Sequence, residues 1–183
     1  MNDVNPLRLI QRCEAGETGA IEEFMHTYQL GTYRLALSIL DDPAEAEEAA
    51  QDALITALDR LASFRGEAAF TTWLYTLTLN LCRMRLRKRR SRQRLAGILQ
   101  EVFRIHNQTH YPEAELQQIE SDAALWSAIR RLTDLQREAI ILRYYHELPI
   151  ANISQVAGVS ERTVHNRLRS AHERLRTLLE GKD

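Results

Sequence analysis

The side chains best able to bind another molecule are a basic run and the aromatic residues just before it. Residues 83–94 carry eight lysines and arginines and no acidic residue. The preceding segment supplies four aromatic rings and an arginine, namely Phe64, Arg65, Phe70, Trp73 and Tyr75. Aromatic rings stack on unpaired bases, worth about 1–3 kcal/mol per base, and cations follow the phosphate backbone. The combination predicts binding of single-stranded nucleic acid.

Two other interpretations of these residues stay open. Phe70, Trp73 and Leu77 have the three- and four-residue spacing of an amphipathic helix, so Phe70 and Trp73 could equally belong to a hydrophobic core. A basic run is often a solvated helix face, and it can also bind polyanions other than nucleic acid.

A second candidate surface is acidic. Residues 41–52 carry six Asp and Glu side chains and no basic one. Four polar residues recur there at three- and four-residue intervals and share one helix face: Glu45, Glu48, Gln51 and Asp52. A solvated face is the ordinary alternative, but beside a nucleic-acid site such a face indicates contact with basic residues of a partner protein. The formal net charge of -1 therefore hides one acidic and one basic surface.

The spacing within residues 150–171 predicts a helix-turn-helix. Gly158 follows Ser154 by four residues and precedes Val164 by six. Glycine permits the left-handed turn between the two helices, and Ser160 can cap the second helix. Val164, Leu168 and Ala171 would pack that helix against the rest of the bundle.

The outward face of this second helix carries side chains able to read DNA. It presents Arg162, Asn166, Arg169 and Glu173, with His165 and Ser170 on its flanks. Arginine and asparagine read guanine and adenine edges in the major groove, and a good bidentate pair gives about 1–3 kcal/mol of discrimination. The alternative is a helical hairpin with a solvated face. Five arginines against two glutamates in residues 161–176 favour DNA, because they allow several phosphate contacts.

The elements that must position these groups are predicted to be helices. Glycine and proline number only seven and four, and apolar residues recur at helical spacing almost throughout. We predict helices from Thr18 to about Asp41, over 43–63 and from about Phe70 to Arg90, then about four helices after Ser121. The predicted fold class is all-α, with two small helical bundles joined by a linker. The boundaries are 1–95 for the first bundle, 96–120 for the linker and 121–183 for the second.

The composition also excludes several classes of protein. Cys13 and Cys82 have no metal-binding spacing, which predicts no disulfide framework, metal or cofactor and fits a reducing cytoplasm. No apolar run approaches the roughly 18 residues of a membrane-spanning helix, and the first residues lack the layout of a signal peptide. Without a phosphate-binding loop or a nucleophile paired with a base, we expect no enzymatic activity.

Two stretches of the chain resemble the extracytoplasmic-function sigma factors, bacterial subunits that direct RNA polymerase to promoters. DDPAEAEEAAQDALITAL and FRGEAAFTTWLYTLTLNLCRMRLRKRR resemble region 2 of that family. LTDLQREAIILRYYHELPIANISQVAGVSERTVHNRLRSAHERLR resembles region 4. The two regions occur in the family's order, separated by a linker and without a region 3 domain.

The resemblance implies a division of labour. The acidic helix, with Glu45, Glu48, Gln51 and Asp52, would bind the β′ clamp of core RNA polymerase, and region 4 would sit on the β flap. Region 2 would capture melted bases of the minus-10 promoter element through Phe64, Arg65, Phe70, Trp73, Asn80, Arg83 and Arg87. Region 4 would read the duplex minus-35 element through Arg162, Thr163, His165, Asn166 and Arg169. Because unstacking a base costs a few kcal/mol, we expect little promoter melting by the isolated chain.

Five positions depart from the residues common in the family: Met84, Thr133, Ser154, His165 and Asn166. These departures do not change the family that the chain resembles, but they leave open which promoter sequence it recognises. The family also implies a separate anti-sigma protein as regulator. Two rival functions remain. A helix-turn-helix regulator that binds DNA as a dimer would leave the first bundle without a role, and a sigma mimic that sequesters an anti-sigma factor would not need the cations and aromatic residues.

Overall fold

The structure is a computed structural model that describes residues 6–103 and 120–180, and its regular elements there are all helical. The first bundle contains α1 (Pro6–Glu14), α2 (Thr18–Leu40), α3 (Pro43–Asp59) and α4 (Phe70–Phe103), with a 3-10 turn, Leu61–Ser63, between α3 and α4. The second contains α5 (Glu120–Arg130), α6 (Asp134–Ile140), a π-helical turn (Ile141–Tyr145), α7 (Ile150–Ala157) and α8 (Glu161–Leu179). The predicted class of two helical bundles is confirmed.

The predicted boundary between α2 and α3 is confirmed, and its geometry explains the break. Asp41 is left-handed, with φ 55°, and its N–H donates to the carbonyl oxygen of Leu37. Pro43 occupies the first turn of α3, where a missing N–H costs nothing. The Asp42 carboxylate then accepts a hydrogen bond of 2.9 Å from the N–H of Glu45 and caps α3.

Three helices differ from the prediction. Helix α1, which was not predicted, buries Leu9, Ile10 and Cys13. Helix α3 ends at Asp59, before the predicted 63. Helix α4 continues to Phe103, past the first-bundle boundary at 95 and into the predicted linker, because this stretch is rich in Arg, Leu and Gln and holds no proline. Residues 104–119 of that linker lie outside the described residues.

The two bundles are docked on each other through a shared hydrophobic core. One cluster lies within the first bundle, around Phe24, Leu54 and Leu74. A larger cluster runs without interruption from α2, α3 and α4 into the second bundle, and includes Leu35, Leu40, Leu79, Leu86, Ile141, Leu142, Val156 and Val164. Helix α7 packs directly on α4. The sequence patterns predicted two bundles but not this contact between them.

Both cysteines lie in these cores. The thiols of Cys13 and Cys82 are free and buried, and burial raises the pKa of Cys82 to about 12. Across residues 6–103 and 120–180, no group of His, Cys, Asp and Glu is arranged to hold a metal ion. Within the same residues, no helix has the length and apolar character needed to cross a bilayer.

Candidate nucleic-acid interface

The aromatic residues at the start of α4 form one cluster with an inner and an outer part. Phe70 is only 4% exposed, and its ring centroid lies 5.0–5.8 Å from those of Phe24, Tyr28, Phe64 and Trp73. Its packing is that of a core residue. Phe64 and Trp73 are half-buried at the edge, 5.5 Å apart, and Arg65 beside them is exposed. A stacking base could therefore reach Phe64 and Trp73, with Phe70 supporting both rings from inside.

Three predicted DNA contacts continue along α4 from this cluster. Asn80, Arg83 and Arg87 are three and four residues apart and so share one helix face. Asn80 and Arg87 are exposed. Arg83 instead makes a bidentate ion pair with Glu138 of α6, with Nε–Oε1 at 3.0 Å and Nη2–Oε2 at 2.7 Å. In this arrangement the Arg83 guanidinium is already occupied by a carboxylate.

The acidic face of α3 lies beside the basic part of α4, so the two predicted surfaces are neighbours. Arg85 donates to Glu48 at 2.8 Å and to Asp52 at 2.6 Å. Glu45 lies 3.9 Å from Arg89, and Gln51 is exposed. Because the carboxylates are largely open to water, such pairs contribute only about 0–1 kcal/mol each. A basic partner could replace them at small cost.

The helix-turn-helix has the geometry that the sequence predicts. Helix α7 ends at Ala157, and Gly158 follows in the left-handed conformation, with φ 68° and ψ 38°. Ser160 caps α8 by accepting from the N–H of Thr163 at 3.3 Å. Val164, Leu168 and Ala171 are buried, as predicted. The turn and the inner face of α8 are therefore confirmed.

The predicted minus-35 residues lie near the start of α8, four of them open to solvent. Arg162, His165, Asn166 and Arg169 are exposed, while Thr163 is half-buried and shares a hydrogen bond of 2.9 Å with Ser160. The four exposed side chains present imidazole, amide and guanidinium groups on a single helix. An α-helix fits into the major groove and can read base edges there through such groups. Thr163 helps to hold the start of that helix.

A residue missed by the sequence analysis ties α8 to α6. Gln136 donates from Nε2 to the Ser170 hydroxyl at 3.2 Å. The same Gln136 accepts from the N–H of Thr133 at 3.1 Å, while Thr133 accepts from the N–H of Gln136, and this reciprocal capping box starts α6. The pattern Thr133-Asp-Leu-Gln136 is the signal that would have revealed the cap. Ser170, placed on the flank of the reading face by its spacing, therefore bonds to α6.

Polar contacts join the two bundles around the α4–α7 packing. Arg90 pairs with Asp134 at 2.6 Å, and Asn152 of α7 donates to the Thr72 hydroxyl of α4 at 3.3 Å. The His146 ring lies 5.1 Å from that of Tyr75, and its buried Nε2 has no hydrogen-bond partner. Burial, with a smaller contribution from Arg34, lowers the pKa of His146 to about 4. His146 is therefore neutral in this contact at pH 7.

Comparison with known proteins gives matches for both bundles. Residues 24–92 match the family model for sigma-70 region 2, and residues 122–175 match that for sigma-70 region 4. The chain is 30% identical over 165 residues to ECF RNA polymerase sigma factor SigM of Mycobacterium tuberculosis, covering 90% of this chain and 80% of that protein. It is 29% identical over 179 residues to ECF RNA polymerase sigma factor SigW of Bacillus subtilis, covering 93% and 94%.

Two solved structures share the arrangement of helices. The sigma factor RpoE, solved in complex with the anti-sigma factor NepR from Bartonella quintana, has a TM-score of 0.67 at 22% identity, covering 88% of this chain and 98% of that one. CnrH, solved in complex with the cytosolic domain of CnrY, has a TM-score of 0.66 at 21% identity, covering 96% and 97%.

Proposed function

The chain belongs to the extracytoplasmic-function sigma factors of the sigma-70 family, and from this premise we propose which of its surfaces direct core RNA polymerase to promoters. Residues 1–95 act as the core-binding and minus-10 unit, with α4 extending past that boundary to Phe103, and residues 121–183 act as the minus-35 unit. The segment 96–120 connects them. The main support for this assignment is the exposed polar face of α8.

We propose that α8 reads the minus-35 element as duplex DNA. Arg162, His165, Asn166 and Arg169 are exposed on this helix, and the cap at Ser160 and the bond between Gln136 and Ser170 fix its position in the bundle. A rigid helix loses little conformational freedom when it enters the groove, so the contacts contribute to discrimination rather than to ordering the protein. Thr163 completes the set of minus-35 residues, and its hydroxyl shares a hydrogen bond with the capping residue Ser160.

We propose that the loop before α4 and the outward face of α4 capture the melted minus-10 element. Phe64 and Trp73 offer half-buried rings for stacking, supported by Phe70. Arg65, Asn80 and Arg87 are exposed beside them, and Arg83 joins this set once it leaves Glu138. Six of these residues, all but the buried Phe70, form the minus-10 surface, and Phe70 supports it from the core.

We propose that the α3 face binds the β′ clamp of core polymerase and that the second bundle binds the β flap. Glu48 and Asp52 release Arg85 and pair with basic groups of the partner instead. Glu45 and Gln51 extend the same face. The chain works in the cytoplasm, has no catalytic activity of its own, and is regulated by a separate anti-sigma protein, by analogy with the RpoE structure that contains NepR.

The test is run-off transcription from a genomic fragment library by core RNA polymerase, with and without the chain, followed by sequencing of transcript starts. We expect new starts that share two upstream elements. The variant carrying Arg162→Ala and Asn166→Ala should lose starts that depend on the upstream element of the pair. The control is Arg8→Ala, which removes an exposed arginine of α1 and should leave the pattern unchanged. Core binding without new starts would contradict the proposal and favour a sigma mimic.

A further inference from the structure

The docked second bundle covers part of the minus-10 surface. Asn152 of α7 bonds to Thr72 one residue before Trp73, and Glu138 of α6 holds Arg83. The carbonyl oxygen of Ala157, the last residue of α7, lies 3.5 Å from both Arg83 Nη atoms. The helix proposed to meet melted DNA therefore has another part of the same chain against it, while the α8 reading residues remain exposed.

We propose that Arg83 switches between two anions. In the free chain it is held by Glu138, which closes the second bundle over α4, and in the promoter complex it contacts DNA phosphate after the bundles have parted. The inference rests on the proposed function and adds to it a self-inhibited state of the free chain. Because Glu138 occupies the Nε and Nη2 donors of Arg83, these donors cannot bind phosphate at the same time, and the closed state opposes full minus-10 binding.

The burial of Glu138 explains why its ion pair with Arg83 would hold the two bundles together. Its side chain is 3% exposed, whereas that of Arg83 is 25% exposed. Removing Arg83 from a docked Glu138 would leave a buried carboxylate without its counter-charge, which is strongly unfavourable. Arg83 is therefore not released while the bundle stays docked, and the bundle must move for Glu138 to regain water. The ion pair and the docking break together.

The dimensions of a promoter lead to the same conclusion. The positions that the names minus-10 and minus-35 denote differ by about 25 base pairs, which at 3.4 Å per base pair is about 85 Å. A compact chain of this length has a radius of gyration of about 16 Å. With α7 against α4, the closed molecule cannot place α4 on one element and α8 on the other. Promoter recognition through both helices requires the bundles to part.

The experiment measures the distance between spin labels on α2 and α8 of the full chain, attached through Gln29→Cys and His172→Cys, by double electron–electron resonance. Both positions are exposed, and the native Cys13 and Cys82 are buried. The test variant is Glu138→Gln, which keeps the side-chain shape and removes the charge. The matched control is Glu23→Gln, because Glu23 also forms an ion pair of 2.7 Å, with Arg12, away from the contact between bundles.

We expect a single short distance in the unaltered chain and in the Glu23→Gln control. In Glu138→Gln, a longer and broader distribution should gain at least about tenfold in population relative to the short one, as loss of a buried ion pair predicts. The opened variant should also bind a fluorescent pool of random single-stranded oligonucleotides more tightly than the control. A distance that stays short, or opening without a gain in binding to that pool, would overturn the inference.

A second variant protects the test against misfolding. If circular dichroism shows that Glu138→Gln has lost helix, Asp134→Asn removes another ion pair across the contact, with Arg90, at a carboxylate that is 24% exposed. Asp134→Asn should also lengthen the distance between the two spin labels. An unchanged distance would count against the proposal that ion pairs hold the two bundles together. Failure of the proposed function remains distinguishable, because a chain that gives no transcript starts with core polymerase can still be measured for opening.

Discussion

Acidification should destabilise this fold through His146. Its Nε2 is buried without a hydrogen-bond partner, its ring contacts Tyr75 and Tyr145, and burial together with the nearby Arg34 lowers its pKa to about 4. The same imidazole in an unfolded chain has a pKa of about 6.5. Between these two pH values the unfolded chain binds the proton and the folded chain does not, so stability is fully present above about pH 6.5 and falls as the pH drops towards 4.

The size of the effect follows from the two pKa values. At pH 5 nearly all of the unfolded chains and about a tenth of the folded ones carry the proton, which costs about 2 kcal/mol of unfolding free energy relative to pH 7.5. With a slope of about 2 kcal/mol per molar urea, this moves the unfolding midpoint down by about 1 M. Carboxylates also titrate in this pH range. The test therefore compares the loss of unfolding free energy in the unaltered chain with the loss in a variant that lacks the His146 imidazole.

The assay compares urea unfolding of the unaltered chain and of His146→Phe at pH 7.5 and pH 5. Phenylalanine keeps a ring between Tyr75 and Tyr145 and has nothing to protonate, so the variant should lose about 2 kcal/mol less than the unaltered chain. His26→Gln, which removes an exposed histidine, should behave like the unaltered chain. Equal losses in His146→Phe and the unaltered chain, or an NMR titration of His146 near pH 6.5, would refute the reasoning.

Three further outcomes are expected. Arg162→Ala and Asn166→Ala should each weaken binding to the selected minus-35 duplex by about 1–3 kcal/mol and relax base preference at one position, as measured by competition gel shifts against single-base variants. Trp73→Ala should reduce permanganate reactivity of the melted minus-10 element more than it reduces initial duplex binding, and loss of helical signal instead would assign Trp73 to the core. Gly158→Ala should cost about 1–2 kcal/mol in urea unfolding, because a Cβ there meets no atom within 4 Å and only the φ of +68° is strained; unchanged stability would contradict this.

Helix boundaries were predictable where a few adjacent residues decide them. Pro43 after Asp42 permits a helix to start and discourages the previous one from continuing, and no distant contact is needed. The same holds for Gly158 and Ser160, whose turn and cap are local. Helix α1 escaped prediction because it has only nine residues before the turn at Gly16, too few for a clear periodicity.

The side-chain contacts of the candidate site were less accessible from sequence. Phe70 and Trp73 share one spacing pattern, and only the packed structure separates an inner ring from one at the edge. The pairing of Arg83 with Glu138 joins residues 55 positions apart and depends on how two bundles dock. Glu138 is only 2% exposed, and the position of this carboxylate directly before the apolar run 139–142 was the available hint.

The hydrophobic core shared by the two bundles has a consequence for dissecting this chain into fragments. Ile141, Leu142, Val156 and Val164 belong to the same cluster as Leu35, Leu40 and Leu79 of the first bundle. A fragment ending before α5, or one starting there, would lose part of its core and expose the severed apolar face to water. Small domains have little stability in reserve. Each half expressed alone should therefore be prone to aggregation and proteolysis, and co-expression of the two halves should restore solubility by letting them reassemble.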